Sequence, residues 1–199
     1  GILLSHKDDT VEQQKKWIEN TKAEAERMKK LVDDLLFLAK VDAGESVRQI
    51  RAELDLGDVV WSSLLPFESV AFEQGVSLDC KIEPDIRFSG DEGQLRQLVA
   101  ILLDNACKYA GEQGKVTVEL AKKQGKIHLS VHNTGEAIPA AYLDRLFERF
   151  YRVDSSRVRE QGGYGLGLSI AASIVKNHGG AISVESSEEK GTAFTVVLS

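Results

Sequence analysis

Leu95-Arg96-Gln97-Leu98-Val99-Ala100-Ile101-Leu102-Leu103-Asp104-Asn105-Ala106-Cys107-Lys108-Tyr109 is the stretch on which the fold turns. Its apolar residues recur with a helical period. Leu95, Leu102 and Ala106 form one apolar stripe, and Ile101, Asn105 and Lys108 share the neighbouring stripe at i, i+4, i+7. Asn105 therefore stands at the edge of a core, where an unpartnered amide costs about 1–3 kcal/mol. Either local core or capping groups satisfy it, or its oxygen serves a ligand. Mg²⁺ bridging nucleotide phosphates is such a ligand, because it takes few protein oxygens beside phosphate and water. Lys108, one turn on, is a solvated surface lysine or a point charge for phosphate. Tyr109 offers an aromatic face or a hydroxyl.

Two further segments follow in order. A strand ends in Val131-His132-Asn133-Thr134-Gly135, and Gly162-Gly163-Tyr164-Gly165-Leu166-Gly167-Leu168 opens a helix. Glycines alone are weak evidence, since many turns need residues that tolerate positive φ. Backbone N–H groups at a helix start do make a phosphate cradle. A dinucleotide fingerprint would need a βαβ unit around it, and the spacing is wrong for a P-loop.

Outward from these segments the elements alternate. Asp91 followed by Gln94 resembles a capping box for the Leu95–Tyr109 helix. Arg48 to Leu54, Val76 to Ile82 and Ile86 to Phe88 read as strands, and Asp55 caps a helix carrying Val59, Val60, Leu64, Phe67, Val70 and Ala71. Val116, Val118 and Leu120 alternate, as do Ile127, Leu129 and Val131, with Gln124-Gly125 as the hairpin between them. Pro139 at a first-turn position starts a short helix through Phe150. Leu166 to His178 is a helix stopped by Gly179-Gly180. Ile182-Val184 and Phe194-Val196-Leu198 are closing strands. A mixed sheet with three main helices, expected on one face, is α+β.

The N-terminal part differs. Val11 to Asp42 is charged and free of Gly and Pro, which favours one long helix. Val11, Ile18, Ala25, Val32 and Ala39 recur every seven residues, with Gln14, Thr21, Met28 and Leu35 at the offset position. That a/d seam predicts a coiled-coil-type helix packing on another helix, more tightly from Ala25 onward. Gly44 supplies a stop and Asp42 to Ser46 a linker. Two domains are expected, 1–45 and 46–199.

Composition narrows the function. The chain has 199 residues, 42% hydrophobic and 28% charged, with a net charge of -6. This suits a soluble domain with a real core and argues against a nucleic-acid binder, which needs clustered Lys and Arg. Cys80 and Cys107 form no metal or redox spacing and read as free thiols. No apolar run approaches the ~20 residues of a membrane span, and Gly1-Ile2-Leu3-Leu4 is too short for a signal peptide. A cytoplasmic location is expected.

The order of these segments resembles the ATP-binding (HATPase, GHKL) domain of sensor histidine kinases, over essentially everything from Arg48 to Ser199. The resemblance implies the Bergerat (GHKL) α/β sandwich, with ATP and Mg²⁺ as cofactors. Asn105 matches the metal-binding Asn of the family's N-box. Its frequent second Asn, one turn earlier, is replaced by Ile101, so coordination would lean on Asn105 and water. Asn133-Thr134-Gly135-Glu136-Ala137-Ile138 matches the adenine-binding box D-x-G-x-G-I, with Asn133 for Asp and Ala137 for the second Gly. There the Asn133 oxygen would accept from the exocyclic amino group, Thr134 would hold a water, and Gly135 would let backbone approach the ring. Leu146-Phe147-Glu148-Arg149-Phe150-Tyr151-Arg152 resembles the F-box. Tyr151 to Gln161 would be a lid, flexible without nucleotide, with Arg152 and Arg157 meeting phosphate. Gly163, Tyr164, Gly165, Leu166, Gly167 and Leu168 match the second glycine box, and Gly191-Thr192-Ala193-Phe194 the final GTxF element, with Thr192 near the nucleotide.

Glu26 to Leu36 looks like the second helix of the family's dimerisation and phosphoacceptor domain. The first helix's acceptor motif is missing, and His6 in Ser5-His6-Lys7-Asp8-Asp9 lacks its acidic-basic-Pro sequel. The resemblance thus implies the catalytic portion of an ATP-dependent protein histidine kinase. Asn105, Lys108 and Arg152 would drive γ-phosphoryl transfer to a histidine outside this chain, for a response regulator. The parent would be a membrane-anchored homodimer, and this chain would not phosphorylate itself. Another GHKL ATPase, with Asp104 as a candidate base, and a degenerate nucleotide-binding scaffold remain alternatives.

Overall fold

A computed structural model describes residues 11–43, 51–153 and 164–199. The chain divides into two compact units, 1–45 and 46–199. In the first, helix α1 runs Val11–Asp42, the span predicted from its charge and lack of breakers. The expected stop at Gly44 lies outside the described residues, as do His6 and most of the 42–46 linker. Ile18, Met28, Val32 and Leu35 of the heptad seam are all exposed, and so are Trp17 and Leu36. Same-helix pairs such as Lys29–Asp33, 2.9 Å apart, line the helix surface.

The second unit begins with strand β1 (Ala52–Asp55), helix α2 (Leu56–Glu73), and strands β2 (Ser77–Ile82) and β3 (Arg87–Gly90). Helix α3 (Glu92–Tyr109), strands β4 (Lys115–Lys123) and β5 (Lys126–Asn133), and the short helix α4 (Ala140–Leu143) follow. Helix α5 (Gly167–Asn177) and strands β6 (Ala181–Ser187) and β7 (Gly191–Leu198) complete it. β2, β4, β5, β7 and β6 form one sheet in that order, and β1 pairs with β3 apart from it. β2 runs parallel to β4 and the remaining neighbours are antiparallel, so the sheet is mixed and the fold α+β, as predicted. No helix among the described residues is long and apolar enough to cross a membrane.

One face of the sheet is buried and the other is half-exposed. Val116, Val118, Leu120, Leu129, Val131, Phe194 and Val196 are all within the core, whereas Thr117, Glu119, Ser130 and Thr195 alternate with them and are half-buried. The helices supply the matching cover. Val59, Val60 and Leu64 of α2, Leu95, Leu102 and Ala106 of α3, and Ile170 and Ile174 of α5 are buried stripes at helical period.

Local chemistry sets the boundaries. The Asp55 side chain accepts from Gly57 N at 2.8 Å and starts α2. Gln124 and Gly125, at φ 52° and 79°, make the tight turn that aligns Lys123 opposite Lys126. Asp91 accepts from Gln94 N at 3.0 Å, but the capping box is only half made. The Asp91 N–H donates to His178 Nε2 at 3.0 Å, so Gln94 has no backbone donor to reach back to. Three other expectations are corrected. β1 begins at Ala52 in place of Arg48, with 48–50 outside the described residues. The strand expected over Ile86 to Phe88 runs Arg87–Gly90. The helix expected from Pro139 through Phe150 is α4 alone, after which Arg145, Leu146 and Glu148 N–H groups bond three residues back. Pro139 precedes the first turn, with ψ 138°.

Candidate functional site

The register of the sheet builds the site. Leu78, Val116, Asn133, Thr192 and Ser186 are direct partners in one row across β2, β4, β5, β7 and β6. The next rows inward are Cys80–Val118–Val131–Phe194–Val184 and Ile82–Leu120–Leu129–Val196–Ile182. Two fully apolar or nearly apolar rows thus give way, at one end of the helix-covered face, to a row with three polar side chains. Asn133 and Thr192 are each 3% exposed, so each must be hydrogen-bonded or serve a ligand.

Asn133 is fixed by two carbonyls. Its Nδ2 donates to Tyr109 O at 3.1 Å and to Thr134 O at 2.5 Å. Both amide hydrogens are committed, which aims Oδ1 away from the carbonyls. The one fully buried side-chain polar atom without a partner among the described residues is Gln94 Oε1. Asn133 Oδ1, which accepts no bond among those residues, therefore retains accessible surface. Thr192 Oγ1 and Ser186 Oγ are 2.7 Å apart, and Ser186 Oγ accepts from Ile138 N at 2.9 Å. That bond ties the loop carrying Ala137 and Ile138, both half-buried, to the end of β6.

The α3 C-terminus closes over the same row. Thr134 Oγ1 donates to Ala110 O at 2.9 Å and accepts from Lys115 N at 2.8 Å. Its hydroxyl hydrogen is thereby taken, and it joins β5 to the end of α3. Gly135 is required for a different reason than expected. At φ +116° its backbone lies so close to α3 that a Cβ would stand 2.0 Å from Tyr109 O. The tight approach is to the helix end. Tyr109 contributes this carbonyl while its side chain is 49% exposed.

On the exposed flank of α3, Asn105 is half-buried and makes no side-chain hydrogen bond among the described residues. Lys108 Nζ lies 2.6 Å from Asp104 Oδ2 within the same helix. Burial first, and Asp104 second, push the Cys107 thiol up, leaving it a protonated core side chain.

The glycine box sits beside this flank. Gly167 opens α5, and a Cβ there would lie 3.4 Å from Ile101 Cγ2. Ile101 thus supports the box by apolar contact at the place where an amide was the family's alternative. Leu166 is buried and precedes α5 without a side-chain cap, leaving the first N–H groups of the helix without one. Tyr164 is 40% exposed, and Leu168 half-buried. Gly165, at φ +72°, has no room for a Cβ because Phe150 C and Tyr151 O are 2.9 Å from that position. Phe150 N donates to Gly165 O at 2.9 Å, so the two ends of the expected lid are clasped. Arg145 stacks on the Tyr151 ring at 4.2 Å, and Arg152 is half-buried. Arg157, Gly163 and nearly all of the expected lid lie outside the described residues.

Tyr109, Asn133, Gly135, Ile138 and Thr192 are therefore linked through one set of contacts at the C-terminal end of α3, the helix that also carries Asn105 and Lys108 and whose Ile101 lies beside Gly167. Ser186 was missed. Its signal was present, since it continues the alternation Ile182, Val184 and breaks it with a hydroxyl on the buried face. A cleft of about 340 Å³ lined by Arg51, Arg87, Phe88, Lys122 and His178 shares no residue with this site.

Known proteins share the family and the fold. The family described as histidine kinase-, DNA gyrase B-, and HSP90-like ATPase matches residues 90–199. Sensor histidine kinase YkoH of Bacillus subtilis (strain 168) is 38% identical over 182 residues, 92% of this chain and 39% of that protein. Full-length ShkA in complex with AMPPNP superposes with a TM-score of 0.81 at 25% identity, covering 94% of this chain and 38% of ShkA. Histidine kinase ThkA in complex with response regulator protein TrrA gives 0.72 at 25% identity, covering 96% and 52%. The chain spans about two-fifths of the length of YkoH.

Proposed function

The chain belongs to the histidine kinase-, DNA gyrase B-, and HSP90-like ATPase family, and from that premise we propose that it is the ATP-binding catalytic portion of a two-component sensor histidine kinase. It would transfer the γ-phosphoryl group of ATP to a histidine outside this chain. The observation that carries the reading is the Asn133 amide, held by two carbonyls so that its acceptor is presented in the one polar row at the end of the sheet face. The AMPPNP complex of ShkA supports a nucleotide as the ligand.

In this reading Asn133 and Thr192 meet the base, with Gly135, Ala137 and Ile138 as its loop wall and Tyr109 at its rim. Backbone N–H groups from Gly165 to Leu168 receive phosphate oxygens at the start of α5. Gly163, Tyr164 and Arg157 extend that contact. Lys108 and Arg152 supply positive charge to the phosphates, Lys108 by exchanging Asp104 for a phosphate oxygen. The residues fit Mg²⁺, because Asn105 offers a half-buried hard oxygen with no protein hydrogen bond among the described residues, and Ile101 adds no competing ligand. Mg²⁺ there would neutralise phosphate charge during transfer.

The alternative of a water-activating Asp104 is disfavoured by its 2.6 Å ion pair with Lys108. The exposed seam of α1 supports a helix partner, supplied by the missing acceptor helix and by a second copy in a homodimeric, membrane-anchored parent. The ThkA–TrrA complex supports a response regulator as the onward acceptor.

The test is incubation with Mg²⁺, ATP labelled at the γ-phosphate, and a separate segment carrying the acceptor helix. Acid-labile label on that segment, absent without it and absent with Asn105→Ala, is expected. Nucleotide binding with no transfer would leave a scaffold in place of a kinase.

A further inference from the structure

The polar row contains one more group than the nucleotide reading uses. Ser186 and Thr192 together hold two hydroxyl hydrogens. One lies between the two oxygens, 2.7 Å apart. Ser186 Oγ also accepts the Ile138 N–H at 2.9 Å. No other described residue accepts from either hydroxyl, so one hydrogen of the pair is uncommitted. An N–H donated into Ser186 Oγ polarises that hydroxyl and makes it the better donor. With Ser186 as the donor to Thr192 Oγ1, the uncommitted hydrogen resides on Thr192. Thr192 is the direct cross-strand partner of Asn133, which places their side chains within a few ångströms on one face.

We infer that Ser186 is a positioning residue for base recognition: it orients the Thr192 hydroxyl as a hydrogen-bond donor beside the Asn133 acceptor. An acceptor next to a donor matches the amino group and ring N1 of adenine. Guanine presents the reverse order, a carbonyl oxygen and an N–H. Ser186 also fixes the height of the Ile138 loop through the same oxygen. The inference rests on the adenine-nucleotide reading above and adds to it a residue on β6 that touches no nucleotide.

The experiment is calorimetric titration of the full chain with ADP and with 1-deaza-ADP, whose ring N1 is replaced by C–H. Wild type, Ser186→Ala and Ser186→Thr are compared, with the melting temperature of each recorded. Wild type should prefer ADP by about tenfold, the worth of one good hydrogen bond. Ser186→Ala leaves the Thr192 hydroxyl free to rotate, so that preference should shrink several-fold, through ADP affinity alone. Ser186→Thr should restore it. Should Ser186→Ala fail to fold, Ser186→Cys, a weaker donor of similar size, should give a reduced preference. Wild-type ADP affinity in Ser186→Ala would overturn the inference, and so would an equal loss for both ligands, which marks a purely structural role. A wild type that binds neither ligand would remove the nucleotide reading itself.

Discussion

At its N-terminal end α3 meets Asp91, His178 and Phe88; at its C-terminal end it meets Asn133, Thr134 and Gly135. The first end is closed by hydrogen bonds except at Gln94 Oε1, which is sealed from solvent. Asp91 caps the helix, His178 Nε2 accepts the Asp91 N–H, and His178 Nδ1 lies 2.8 Å from Ile174 O. Those partners fix the imidazole as the tautomer with hydrogen on Nδ1. Its ring packs 6.0 Å from that of Phe88. The second end is equally crowded, yet it leaves the Asn133 oxygen, the Asn105 amide and one hydroxyl hydrogen without partners among the described residues. Equal crowding with unequal satisfaction separates a joint from a binding site. Substitutions should therefore act on stability at one end and on ligand affinity at the other.

The largest effect is expected from Gly135→Ala. The new Cβ would stand 2.0 Å from Tyr109 O at φ +116°, so backbone must move, at a cost of roughly 3 kcal/mol or more. Urea denaturation should show that loss, with nucleotide affinity lost as well. A near-wild-type midpoint would show that the helix end is looser than described.

His178→Ala removes two hydrogen bonds and leaves the half-buried Asp91 N–H without its partner, which costs about 2 kcal/mol. Nucleotide affinity measured well below the melting temperature should stay within about twofold. A large affinity loss in a folded protein would break the contrast between the ends. Asp91→Ala should cost about 1 kcal/mol, as a lost N-cap does. Gln94→Met should cost least, within about 1 kcal/mol, because Gln94 Oε1 is already buried without a partner among the described residues. A cost well above that would mean the amide is satisfied.

Much of this contrast was legible in the sequence, for reasons that differ by residue. The helix stripes, the alternating strands and the Asp55 and Asp91 caps follow from local periodicity and local hydrogen bonding. The Asn105 stripe and the glycine box follow from spacing along single helices. The Asp91–His178 bond spans 87 positions, and no local pattern encodes it. Its consequence, a capping box only half made, could not be read either. The Ser186–Thr192–Asn133 row depends on register between three strands. Each strand was visible, while their order across the sheet was not. The closeness of Gly135 to the end of α3 was not legible because that helix end is distant in sequence. The helix expected from Pro139 to Phe150 fails because its bonds run three residues back after Leu143.

In the proposed kinase the C-terminal half of α3 holds the phosphates through Asn105 and Mg²⁺, and everything else at the site depends on that placement. Calorimetric titration of ADP into wild type and Asn105→Ala, each with and without Mg²⁺, puts it to the test. Wild type should bind more tightly with Mg²⁺, by about tenfold or more. Asn105→Ala should melt within a few degrees of wild type and show the same weak binding in both conditions. Undiminished Mg²⁺-dependent binding by Asn105→Ala would contradict that placement.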